Sequence, residues 1–162
     1  MEFEDALKNL HKSKEFKDWK KTHKNSFLTY AFIMISEEVK KEWQIGYYNK
    51  GKDTISTFTV SEKIHKNPDS EILKGEGIKE LDPEKVKISY EKALEIAKKL
   101  QQKEYPPHTA EKKMIILQKL AIGQVWNITY ITKTFKTLNI KIDSLTGEIL
   151  KHDLLELFSF NK

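Results

Sequence analysis

The sequence predicts an α+β protein made of two repeated units, each a helix followed by a three-stranded antiparallel sheet. Three observations carry that expectation. Trp43 precedes Ser61 by the interval that separates Trp126 from Ser144. Asp69-Ser70-Glu71-Ile72-Leu73-Lys74 mirrors Thr146-Gly147-Glu148-Ile149-Leu150-Lys151. Glu4-Asp5-Ala6-Leu7 and Glu91-Lys92-Ala93-Leu94 open two amphipathic stretches alike. The units are placed at residues 1–74 and 89–162, with 75–88 as the connector.

The elements follow from residue pattern. Phe3, Ala6, Leu7 and Leu10 recur at helical spacing, and the stripe changes phase near Ser13, where a kink or a second helix carrying Phe16 and Trp19 is expected. Phe27 to Ile35 is nearly continuous in aromatic and β-branched residues, which reads as a central strand covered on both faces. Ser36 to Lys41 is a polar turn, Glu42 to Asn49 a second strand, Lys50-Gly51-Lys52-Asp53 a turn and Thr54 to Val60 a third strand. Pro68, Gly75, Gly77 and Pro83 punctuate residues 61–88, a stretch that reads as connecting chain. Asp82-Pro83-Glu84 has the form of a helix start or turn.

Ser89 then caps a helix with the stripe Ala93, Leu94, Ala97 and Leu100, which Tyr105-Pro106-Pro107-His108 ends. Strands are expected at Lys113 to Leu120, Val125 to Thr132 and Phe135 to Asp143. The tail, with Leu154, Leu155, Leu157 and Phe158, reads as a short helix or an edge segment closing the core.

Composition narrows the function. A chain of 162 residues with 38% hydrophobic and 33% charged residues supports a real core. Cysteine is absent, which removes disulfides, thiolate nucleophiles and cysteine-based zinc sites. Neither a secretory leader nor an apolar run of transmembrane length is present. The chain as given is therefore expected to be soluble and cytoplasmic, or extracytoplasmic where a leader has been removed. All 29 basic residues are lysines, so the arginine fork on which base-specific nucleic-acid readout leans is missing. Residues 1–86 hold 16 lysines against 16 acids and residues 87–162 hold 13 against 8, which places the net charge of +5 in the second half.

Val125-Trp126-Asn127-Ile128-Thr129-Tyr130, followed by Leu138-Asn139-Ile140-Lys141-Ile142-Asp143-Ser144-Leu145-Thr146-Gly147-Glu148-Ile149-Leu150, resembles the PepSY domain. With its helix the resemblance spans roughly Ser89 to Leu150. The first half resembles it through Trp43, Tyr47 and Tyr48 but lacks the Asp and Thr-Gly. The resemblance implies cystatin-like α+β units in tandem and a regulatory role, of the kind propeptide and inhibitory modules of peptidases have. The chain as given is expected to depart from that setting, showing no leader signal and no attached enzyme within these residues.

No catalytic, cofactor-binding or metal residue stands out. His11, His23, His65, His108 and His152 are scattered without ligand spacing, and no nucleophile elbow, phosphate loop or dinucleotide fingerprint occurs. Asp143, Thr146 and Gly147 read as a structural turn. Tyr47 and Tyr48, adjacent on a strand, must face opposite sides. Tyr30, Tyr48 and Tyr130 are the candidate partner surface, an aromatic row on the outer face of the sheet.

The expectation is a non-enzymatic module that binds an unidentified protein or peptide partner, with nucleic acid unlikely. Two alternatives stand beside it. One is a lysine-rich protein binding nucleic acid or an anionic surface, and the other a small-ligand-binding protein of cystatin or NTF2-like shape.

Overall fold

The computed structural model describes residues 1–72 and 77–156. The unit boundary at residues 74–75 and the tail residues Leu157 and Phe158 lie outside the described residues.

Helix α1 (Phe3–Lys12) buries Phe3, Ala6, Leu7 and Leu10, the four positions that helical periodicity puts on one side. Ser13 ends it in an extended conformation and starts α2 (Lys14–Thr22), its hydroxyl oxygen accepting from the Phe16 N–H at 3.2 Å. The phase change near Ser13 is thus a break into two helices, and it allows Phe16 and Trp19 to turn into the core. Helix α3 (Tyr90–Glu104) begins with the Ser89 hydroxyl accepting from Lys92 N–H and runs unbroken for 15 residues.

The strands are β1 (Ser26–Ile35), β2 (Trp43–Asn49), β3 (Thr54–Val60), β4 (Ile64–Lys66), β5 (Ser70–Glu71), β6 (Ala110–Leu120), β7 (Gly123–Thr132), β8 (Lys136–Asp143) and β9 (Ile149–Glu156). They form one sheet in the order β4-β3-β2-β1-β6-β7-β8-β9, with β5 following β4 along the edge of β3. Every pairing is antiparallel. The sheet crosses the connector without a gap, because β1 lies beside β6 with Ile33 opposite Ile115 and Phe32 opposite Ile116.

Several expectations are corrected. Residues 61–72, expected as connecting chain, carry β4 and β5, which are too short and polar to show a period. Of the two forms expected of the tail, a short helix or an edge segment, its described part is the edge strand β9. Phe135 sits in the β7–β8 turn with φ 60 and 68% exposure, outside the strand expected to begin there. Strand β1 is not covered by helices on both faces. The buried residues of all three helices join a single cluster with Ala31, Ile33, Ile45, Ile115, Leu117 and Ile128, which lie on one side of the sheet. Alternation leaves their neighbours on the other side.

At the middle of the helix side four rings meet. Phe3 and Tyr90, the first residues of α1 and α3, pack on Trp43 with centroids 5.9 and 5.5 Å away, and Trp43 lies 6.3 Å from Trp126. The Trp43 indole N–H donates to the Met1 carbonyl at 3.0 Å, and the Trp126 indole N–H donates to the Ile88 carbonyl at 2.8 Å. Each tryptophan therefore pins the backbone two residues before a helix.

Candidate functional site

The helix-free face divides into two halves of different chemistry. On β7 and β8 it is polar and tied down. The Asn127 amide donates to Gln118 at 2.9 Å, and the Asn139 amide donates to Asn127 at 2.7 Å and to the Thr129 hydroxyl at 2.9 Å. Side chains so paired meet part of their hydrogen-bonding need within the face. On β1, β2 and β6 the same face is more apolar: Phe27, Phe32, Met34, Met114 and Ile116 are each partly exposed, with Gln44 and Gln118 set among them, and Phe27 and Tyr48 meet edge to face at 5.2 Å.

A groove of about 460 Å³ opens on this apolar half, lined among others by Tyr30, Phe32, Ile55, Ile78, Ile116 and Leu120. Its wall includes the chain at residues 77–79, held to the sheet where Thr29 donates to the Lys79 carbonyl at 3.4 Å and Leu81 N–H donates to the Leu28 carbonyl at 2.9 Å. Lys79 and Lys119 contribute its charged groups.

The three candidate tyrosines do not form one row. Tyr30 lies on the outer face, its ring flat over Gly46 and its hydroxyl 2.8 Å from the Thr57 hydroxyl two strands away. It reaches that face because β1 changes register between Leu28 and Tyr30, so that Leu28 and Ala31, three apart, both point to the helices. Tyr48 is on the outer face too, with its hydroxyl donating to Asp53 in the following turn. Tyr130 is corrected: it is 2% exposed and packs on the helix side, two residues beyond Ile128 and four beyond Trp126. Its burial pushes the phenol up to about 12. Tyr47, four residues beyond Trp43, has the same orientation, and its hydroxyl lies 2.6 Å from His11 Nε2.

The turn after β8 is closed by its own atoms. Asp143 Oδ1 accepts from Leu145 N–H at 2.8 Å and Thr146 N–H at 2.9 Å, Thr146 Oγ1 accepts from Glu148 N–H at 3.2 Å, and Gly147 takes φ +79. The neighbouring Ser144 carbonyl accepts from Lys87 and Ile88 N–H, docking the turn on the entry to α3. Sequence reasoning missed Gln124, whose amide both accepts from Asp82 N–H at 2.8 Å and donates to the Asp82 carbonyl at 2.9 Å. Nothing in the pattern Gly123-Gln124-Val125 signals a clamp on a residue so distant in sequence.

Histidine pairings are local or structural. His23 stacks on Trp19 at 4.6 Å, His108 Nδ1 meets the Thr134 hydroxyl at 2.7 Å and His152 Nδ1 meets the Tyr105 hydroxyl at 2.6 Å. Burial lowers the affinity of His11 for a proton, with Lys20 adding to the effect. Among the described residues no three carboxylates or imidazoles converge on a metal position. No helix among them is long and apolar enough to cross a membrane.

No protein-family model matches the sequence, and no curated protein matches it. A solved structure shares the fold. The crystal structure of a putative lipoprotein from Clostridium difficile 630 superposes with a TM-score of 0.56, covering 85% of this chain and 88% of that chain at 16% identity. At that identity the likeness speaks for the fold, and a fold can carry many functions.

Proposed function

We propose that this chain is a non-enzymatic binding module, built from two PepSY-like units in tandem, that takes an extended peptide or protein segment on the helix-free face of its sheet. The carrying observation is the apolar groove on β1, β2 and β6, beside a polar half whose side chains pair with one another. Contiguous apolar surface rimmed by charge is costly to leave in water and is a usual mark of a partner site. Lys79 and Lys119 at the groove favour a segment in which apolar side chains alternate or mix with carboxylates.

The tandem reading is supported by matched positions. Trp43 and Trp126 each donate to a carbonyl two residues before a helix, and Tyr47 and Tyr130 follow them at the same interval on the same face. The description of the structural neighbour as a putative lipoprotein supports a setting outside the cytoplasm.

The test is selection from a displayed library of random peptides, with wild type and an Ile116→Glu variant as parallel targets. Ile116 is partly exposed and opposite Phe32 on the outer face, so Glu there adds a buried-rim charge without touching the helix-side core. Wild type should enrich apolar, acid-bearing peptides that bind the variant at least tenfold more weakly at equal thermal stability. Enrichment that ignores the substitution would place the partner elsewhere, and no enrichment would sink the binding reading.

A further inference from the structure

On the helix side, at the C-terminal end of α3, a second pocket of about 390 Å³ is lined by Lys98, Gln101, Pro106, Thr109, Lys113 and Tyr130 among others. The corresponding space by Tyr47 is filled, because the break at Ser13 lets α2 fold back and bring Phe16 and Trp19 to 5.1 and 5.5 Å from that ring. Helix α3 does not break, so among the described residues no second helix folds back over Tyr130.

Two features set this pocket apart from its counterpart at Tyr47. The Tyr130 hydroxyl is buried and has no hydrogen-bond partner among the described residues. A buried hydroxyl left unpaired costs about 1–3 kcal/mol, and Tyr47 avoids that cost through His11. Lys113 stands directly opposite Tyr130 on β6, its ammonium 5.5 Å from the centre of the Tyr130 ring. Burial lowers its affinity for a proton, and Lys98 and Lys41 add to that effect. None of these three lysines is in an ion pair with a carboxylate of the described residues. The partial negative charge at the end of α3 accounts for lysines on the helix's own last turn. The half-buried Lys113 lies on a neighbouring strand instead, where the Tyr130 ring face is its cation–π partner and no carboxylate of the described residues neutralises it.

We infer that this pocket is a binding site for a small oxyanion, a carboxylate or a phosphate group, held by the Lys113 ammonium and the Tyr130 hydroxyl with Lys98 at its mouth. An anion there would give the orphaned hydroxyl an acceptor and the clustered cations a counter-charge in one step. The pocket volume lies in the range of small-ligand sites. The site is on the opposite side of the sheet from the proposed peptide groove and does not rest on that proposal.

The test is a titration of the isotope-labelled full chain with inorganic phosphate and, separately, with acetate, followed by amide chemical shifts at ionic strength held constant with sodium chloride. Saturable shifts confined to Lys98, Gln101, Lys113 and Tyr130 are expected with at least one of the two anions, and the one that saturates names the group. Tyr130→Phe, which keeps the ring and removes the hydroxyl, should weaken binding about tenfold or more, as loss of a hydrogen bond to a charged group does. Lys113→Met should abolish binding yet raise the melting temperature of the anion-free protein, since a desolvated, self-repelling charge is gone. Shifts that never saturate with either anion, or a midpoint unmoved by Tyr130→Phe, would overturn the site.

Discussion

Gly46 shows at the scale of one residue how the outer face is built. A methyl group there would meet Tyr30 Cε1 at 2.1 Å and Cδ1 at 2.5 Å, because Tyr30 lies flat across the strand to reach Thr57. A strand glycine lacks a side chain to pack, and here an aromatic ring from the paired strand takes that place. Gly46→Ala is therefore expected to cost about 1–3 kcal/mol through overpacking, measured by urea unfolding. The cost should shrink when Tyr30→Ser is made as well, since the clash and its partner vanish together. Equal, additive losses would show that ring and glycine are not coupled. Tyr30 lies on the outer face, where the sequence reading puts it, but for a reason that reading does not contain. Simple alternation from Leu28 sends Tyr30 to the helices, and only the register change before it sends the ring outward. Tyr130 is the opposite case: the reading that puts it on the outer face is wrong, because its parity with Trp126 and Ile128 places it inside.

Elements were most readable where one side chain sets a boundary. Ser13 separates α1 from α2 by accepting from Phe16 N–H while its own hydroxyl donates to the Leu10 carbonyl at 2.6 Å. Ser13→Ala should destabilise the protein by about 1 kcal/mol, within the 0.5–2 kcal/mol span of N-cap losses. It should also loosen Trp19, which depends on the bend, and red-shift its emission. An unchanged stability would mean that packing of Phe16 and Trp19 alone fixes the bend. The long amphipathic helices and the strands β1, β2, β3, β7 and β8 were legible for a like reason, each having a period or a run that only one backbone satisfies. Strand β9 was not, because Ile149-Leu150-Lys151-His152-Asp153-Leu154-Leu155-Glu156 alternates in neither period. Its pairing with β8 is a tertiary fact. The groove was illegible for the same reason, since it joins residues of β1, β2, β3, β6 and the chain near Ile78.

At the scale of the whole molecule the two halves share a sheet and a core, and this bears on how they unfold. The β1–β6 pairing runs from Tyr30 opposite Gln118 to Ile35 opposite Lys113, and removing either half would expose that full row of backbone groups. The halves also exchange rings: Phe3 lies 6.5 Å from Trp126, and Tyr90 of α3 packs on Trp43 of β2. Neither half can separate without opening the part of the core nearest its own helix start. A single cooperative transition is therefore expected, although the sequence reads as two units. A Trp126→Phe variant leaves Trp19 and Trp43 to report on the first half, and a Trp19→Phe/Trp43→Phe double variant leaves Trp126 to report on the second. Each can be followed by fluorescence in urea beside far-ultraviolet circular dichroism of the same sample. Coincident midpoints within each variant would establish one folding unit. A fluorescence midpoint displaced from the dichroism midpoint, in opposite directions for the two variants, would show that the halves melt separately and that the shared sheet adds little coupling.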